Sequence, residues 1–127
     1  MIIGIGIDMV KIEKMQGAIE RLGENFLNRV FDKKELKNIA KGKMYYQRLA
    51  ARFAAKEAVV KAISKEKPLA LKDILILNKA NGAPYCEFKK DIGIQIFLSI
   101  THIEEYAVAC AVAQTTDNRS QKSEIRK

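Results

Sequence analysis

The stretch that most constrains this chain is its first, MIIGIGIDMV, in which an apolar strand carries two glycines and runs into an acid. At the strand period of two, Ile3, Ile5, Ile7 and Met9 share one face, and Gly4, Gly6 and Asp8 share the other. The isoleucine face has the character of a core face. Glycine weakens a strand interior by roughly 0.5–1 kcal/mol relative to alanine, so two of them before a carboxylate imply that another group approaches this backbone closely. Asp8 then has two readings: a cap for the helix starting within VKIEKMQGAIERL, or a functional acid beside that close approach.

A helical region is expected from about Val10 to about Ile63. Met15, Ile19 and Leu22 fall at helical spacing, and DKKE at 32–35 has the pattern of a capping box opening a second helix, which Gly42 would break. The segment YQRLAARFAAKEAVVKAI follows, with alanine at 50, 51, 54, 55, 58 and 62, giving high helix propensity and little bulk. After SKEKP strand signals take over: DILIL, YCEF, GIQIFLSI and YAVACAVA are expected strands, with NKANGAP turning between the first two. The expected architecture is α+β, with helices packed on a mainly antiparallel sheet. One domain spans residues 1–114, and a polar, frayed tail spans 115–127.

A chain of 127 residues can bury about two-thirds of its unfolded surface and needs no disulfide or structural metal to fold. Cys86 and Cys110 show no CxxC spacing, and with only one histidine present a zinc site is disfavoured; a reduced, cytoplasmic setting fits. No segment has the ~20 apolar residues of a membrane span, and no basic leader precedes the first apolar run. The net charge of +8 lies in one place: residues 11–65 hold 14 Lys and Arg against six acids, and the remainder holds nine of each. Such a patch attracts a polyanion, whether nucleic acid, a phosphorylated small molecule or an acidic protein.

The long helix contains a second notable acid. Glu57 and Lys61 are four residues apart and share a helical face, with Phe53 one turn earlier. As a surface ion pair they would contribute only ~0.3–0.5 kcal/mol. The alanines around Glu57 allow another reading, because a slim helix can press on a strand and carry its acid towards Asp8. Two carboxylates from different elements make a hard-oxygen site for Mg²⁺, with phosphate oxygens filling the remaining positions and Lys61 adding charge.

Four segments, GIGIDMVKI, ARFAAKEAVVKAI, NGAPY and LSITHIEEYAVA, in this order and at these distances, resemble the holo-acyl-carrier-protein synthases, the short phosphopantetheinyl transferases. The resemblance covers roughly residues 2–113 and implies a 4′-phosphopantetheinyl transferase-like fold. It implies transfer of 4′-phosphopantetheine from coenzyme A to a serine of apo-acyl carrier protein, releasing adenosine 3′,5′-bisphosphate, for fatty acid and lipid biosynthesis. By the same resemblance Asp8 and Glu57 are the metal ligands, Lys61 a phosphate contact, and His102 a contact to the nucleotide part of coenzyme A. Arg48 and Arg52 are further candidates for its phosphates, and Gly82 and Pro84 for a backbone lip near the nucleotide. Lys14 and Arg21 on the first helix stand for the basic residues that meet the carrier protein. Short family members form homotrimers, which implies active sites shared between subunits.

The sequence departs from the family pattern at three places. Thr101 replaces the usual serine of the last motif and keeps a hydroxyl. Ser64 and Lys65 replace the glycine character of the loop after Ile63, which implies a differently shaped lid. Glu24 stands where another cation is expected. Two other classes account for part of the same features: a small basic nucleic-acid-binding protein explains the charge but lacks aromatic interleaving, and a metal-dependent nucleotide hydrolase explains the two acids but not the cationic helix. The group that removes the serine proton stays open among Glu57 acting through water, a separate acid, and bulk water.

Overall fold

In a computed structural model of the chain, residues 1–63 and 69–116 are described. The segment 64–68, where the altered lid was expected, and the tail beyond Thr116 lie outside the described residues. The chain runs β1 (Ile2–Lys11), α1 (Ile12–Leu22), α2 (Glu24–Val30), α3 (Lys33–Asn38) and α4 (Tyr45–Ile63), a 3-10 turn at Leu71–Asp73, then β2 (Ile74–Asn78), β3 (Pro84–Phe88), β4 (Ile94–His102) and β5 (Tyr106–Thr115). Every strand pair is antiparallel. The strands form two sheets where one was expected: β1-β5-β4, and a β2-β3 hairpin.

Helix α4 lies across β1 and β5, and the glycines are the reason it can. A Cβ on Gly6 would sit 1.9 Å from the Ala58 carbonyl oxygen, and one on Gly4 would sit 2.0 Å from that of Ala62. The close approach implied by GIGID is therefore the backbone of α4, one turn apart at each glycine. The same helix presents Ala54, Ala55, Ala58 and Ala62 to a core completed by Ala109, Ala111 and Ala113 of β5 and by Ile74 and Ile76 of β2. A second cluster at the other end of α4 gathers Ile12, Met15, Ile19, Val30, Phe31 and Ile39 around Leu49, Ala50 and Ala51.

This packing reverses one expectation. The isoleucine face of β1 is the outer face: Ile5, Ile7 and Met9 are 66%, 61% and 62% exposed. Only Ile3, at a register irregularity between Ile2 and Gly4, packs against the core. Asp8 caps no helix, since α1 begins from Lys11 without a side-chain cap. Asp8 stays within β1, opposite Ala109 of β5.

The capping box of α3 is present as expected: the Asp32 carboxylate accepts from the Lys34 amide, and Glu35 accepts from the Asp32 amide. The helix ends at Asn38, before Gly42, whose φ of 123° lies in the loop that follows. Glu35 does more than cap. Its Oε1 meets the Lys56 ammonium at 2.7 Å and its Oε2 accepts from the Ile76 amide at 2.8 Å, with both side chains fully buried. Lys56 also donates to the carbonyls of Leu71 and Ile74, so all three of its protons are used. Burial pushes the Glu35 carboxyl up and the Lys56 ammonium down, each against the attraction of the other. Removing one partner from such a pair costs ~3–5 kcal/mol, because the other is left charged and buried.

Candidate active site

Asp8 and Glu57 converge by the route the glycines provide. With Gly4 and Gly6 seated on α4, the next residue on that face of β1 is Asp8, and the stripe Phe53–Glu57–Lys61 lies along the adjoining edge of the helix. A cleft of about 450 Å³ is lined by Asp8, Glu57, Phe53, Phe26, Lys14 and Met15, among others. The Phe26 and Phe53 rings, 6.5 Å apart, form part of its apolar wall. Burial holds the Glu57 carboxyl above its ordinary range; the charge of Asp8 adds to this, and Lys61 opposes it. Lys61 donates to Asp8 Oδ1 at 3.0 Å and to the Ile7 carbonyl at 3.0 Å.

Two carboxylates lining one cleft, with a single lysine paired to Asp8, carry surplus negative charge. That donor set fits a hard divalent cation bound by two carboxylates and completed by phosphate oxygens or water. Among the described residues no group of three or more His, Cys, Asp or Glu side chains converges, so a cage made wholly of protein ligands is not formed there.

The remaining candidates lie in a separate cleft of about 280 Å³, lined by Arg48, Arg52, Asn78, Gly82, Pro84 and His102 together with Ala51, Ile76 and Ile100. All five residues assigned to the nucleotide end of coenzyme A thus meet in one place. Arg52 is nevertheless mostly internal. Its Nε donates to the Ile76 carbonyl at 3.3 Å and its Nη2 to Asn78 Oδ1, and burial lowers its pKa. Arg48 is less buried and donates through Nη1 to the Ala40 carbonyl at 3.2 Å. His102 is exposed at the end of β4.

Asn78 was missed from the sequence. It accepts from Arg52 and donates to the Gly82 carbonyl at 2.9 Å, tying helix α4 to the turn that edges the cleft. Its position at the opening of the turn NKANGAP, three residues before Asn81, was the available signal. Lys56 and Glu35 were missed as a pair for a different reason: they are 21 positions apart, and neither residue's spacing points to the other. Lys14 lies on the rim of the first cleft, and Arg21 is exposed two turns further along α1.

A sequence profile of the 4′-phosphopantetheinyl transferase superfamily matches residues 4–111. The holo-[acyl-carrier-protein] synthase of Thermodesulfovibrio yellowstonii is 42% identical over 112 residues, covering 88% of this chain and 98% of that protein. That of Protochlamydia amoebophila is 42% identical over 119 residues, with the same two coverages of 88% and 98%. Among solved structures, a holo-(acyl-carrier-protein) synthase from Bacillus anthracis in complex with CoA (3′,5′-ADP) superposes with a TM-score of 0.78 at 31% identity, covering 91% of this chain and 98% of that one. The Neisseria meningitidis enzyme gives a TM-score of 0.79 at 29% identity over 91% of this chain and all of that one (100%). With a superfamily profile matched over residues 4–111, relatives 42% identical over 88% of the chain and the fold shared with solved members, the protein belongs to the holo-acyl-carrier-protein synthase family of the 4′-phosphopantetheinyl transferase superfamily.

Proposed function

We infer that the chain carries out its family's reaction and that the two clefts divide the work. It transfers 4′-phosphopantetheine from coenzyme A to a serine of apo-acyl carrier protein. The serine oxygen forms a bond to the phosphorus bearing pantetheine, the diphosphate bridge breaks, and adenosine 3′,5′-bisphosphate leaves. The observation carrying the assignment of residues is the convergence of Asp8 and Glu57, from separate elements, on one cleft whose rim bears Lys14. Neither a nucleic-acid-binding protein nor a nucleotide hydrolase is the reading retained.

Asp8 and Glu57 are the proposed holders of Mg²⁺, which when bound neutralises diphosphate charge and polarises its oxygens. Lys61 supplies a further positive charge to the phosphates. Arg48, His102 and the Gly82–Pro84 lip receive the nucleotide end, while Arg52 braces that cleft from within. Lys14 and Arg21 face the carrier protein, and Lys14 sets that contact beside the acids. Cys86 and Cys110 are unbridged, which supports a reducing cytoplasmic setting. Among the described residues no helix is long and apolar enough to cross a membrane.

The active unit we propose is a homotrimer in which Asp8, Glu57 and Lys61 of one subunit work with the NGAP region of its neighbour. Two observations support this. The outer face of β1-β5-β4 leaves Ile5, Ile7, Met9 and Phe97 largely exposed, an apolar patch of the kind that subunit contacts cover. In addition, the clefts holding the acids and the nucleotide set share no lining residue within one chain. Incubation with coenzyme A, Mg²⁺ and an apo-carrier protein tests the activity. The carrier should gain the mass of phosphopantetheine, and a carrier left unmodified over varied carriers and conditions would overturn the reading.

A further inference from the structure

Lys61 is placed where a role towards phosphate alone does not put it. Its ammonium is held at two points on β1, the Asp8 carboxylate and the Ile7 carbonyl, each at 3.0 Å. The Asp8 side chain is 19% exposed and that of Lys61 is 54% exposed. The acid is sunk in the strand, and the lysine reaches down to it from solvent on a flexible four-carbon stem. With more than half of the lysine side chain exposed, its stem can carry the ammonium to another partner.

We propose that Lys61 is the resting counter-ion of Asp8, displaced when the two carboxylates take a divalent cation and thereby freed towards the donor's diphosphate. The proposal rests on the reading of Asp8 and Glu57 as cation ligands. A Mg²⁺ ion sits about 2.0–2.1 Å from its oxygen ligands, so an ion on Asp8 and an ammonium on the same carboxylate would be close neighbours of like charge. The divalent ion prevails because it engages Glu57 as well, whereas the ammonium contributes one exposed ion pair. Release of Lys61 makes cation and diphosphate binding mutually reinforcing, since the charge that one expels is the charge that the other needs.

The test is binding of Mn²⁺ to the substrate-free protein, followed by electron paramagnetic resonance of the free ion, with circular dichroism to verify folding of each variant. Lys61→Met should tighten Mn²⁺ binding by roughly three- to tenfold, because it removes the competing charge while keeping the stem. Lys61→Arg keeps the charge and should stay within about twofold of the parent. Asp8→Asn should weaken binding in either background. Tightening by Lys61→Met alone supports the proposal. Unchanged or weaker binding in Lys61→Met, with Asp8→Asn still harmful, overturns the counter-ion role and leaves the cation site standing. Binding that Asp8→Asn does not affect overturns the cation site and the proposal together.

Discussion

At the scale of single residues, Asp8 and Glu57 gain their chemistry from what surrounds them. On its face of β1 Asp8 follows Gly4 and Gly6, which lets its carboxylate stand at the end of a tight helix–strand seam. Glu57 follows an alanine-rich stretch of α4, and its carboxyl is held up first by burial and then by the charge of Asp8. Asp8→Ala and Glu57→Ala should each lower the transfer rate by at least about a hundredfold, within the range typical of lost electrostatic stabilisation. Thermal melts should show little loss of stability, because neither carboxylate is packed in the core. Steady-state rates and melting curves on the same preparations check this; near-normal transfer at limiting Mg²⁺ by either variant would remove it from the site. Cys86 illustrates the opposite case, since burial pushes its thiol up to about 12 and takes it out of thiolate chemistry at neutral pH.

At the scale of elements, α4 is the part on which both clefts depend. One of its sides is fastened to β2 through Arg52 and Lys56, which lie one turn apart, and the adjoining side rests on the glycines of β1. The rotation of the helix about its own axis is thereby fixed, and with it the direction of Glu57. Gly6→Ala should be severe, because its methyl would fall 1.9 Å from a backbone oxygen that no rotamer change can move. The expected loss is about 3 kcal/mol, the upper part of the range for overpacking. Denaturant unfolding of Gly6→Ala measures it, with Gly17→Ala as the control, since an added Cβ at Gly17 meets nothing within 4 Å and gains helix propensity. Equal stability of the two variants would contradict the seam described above.

At the scale of the whole molecule, charge and apolar surface are segregated. The basic excess of residues 12–63 belongs to α1 to α4 and their connections, and the apolar outer face belongs to β1-β5-β4. Lys14→Glu with Arg21→Glu should raise the KM for carrier protein at least tenfold while changing the KM for coenzyme A by less than about twofold, because reversed charges act mainly on the complementary partner. Added salt should weaken the parent in the same sense. Equal effects on both substrates would remove α1 as the docking face. Assembly is checked by sedimentation equilibrium, with three copies expected for the parent and dissociation expected for Ile7→Glu, which places a charge in the proposed contact. Mixing Asp8→Ala with a His102→Ala, Arg48→Ala double variant should restore part of the activity if sites are shared between neighbours. Restored activity is not expected of self-contained subunits, so its absence in verified mixed oligomers would end the shared-site proposal.

The sequence alone determined the elements and most of the candidate site. Alanine content set α4, the Asp32–Glu35 pattern set the start of α3, and short strand-forming apolar runs bounded by turn residues set β2 to β5, because these signals are local and act within a few residues. The separated motifs around Asp8, Glu57, Gly82 and His102 carried the family resemblance and with it the reaction. The tertiary structure decided which face of β1 turns inward. Alternation tells which side chains share a face, but not which face a partner will cover, and here the bare face won because only there can a helix backbone reach a strand backbone. Tertiary structure also decided that Glu35 meets Lys56 and that Arg52 is bound to Asn78, pairings between distant positions that no local period encodes. The division of the site into two clefts belongs to the same class, since it depends on where α4 sits between the two sheets.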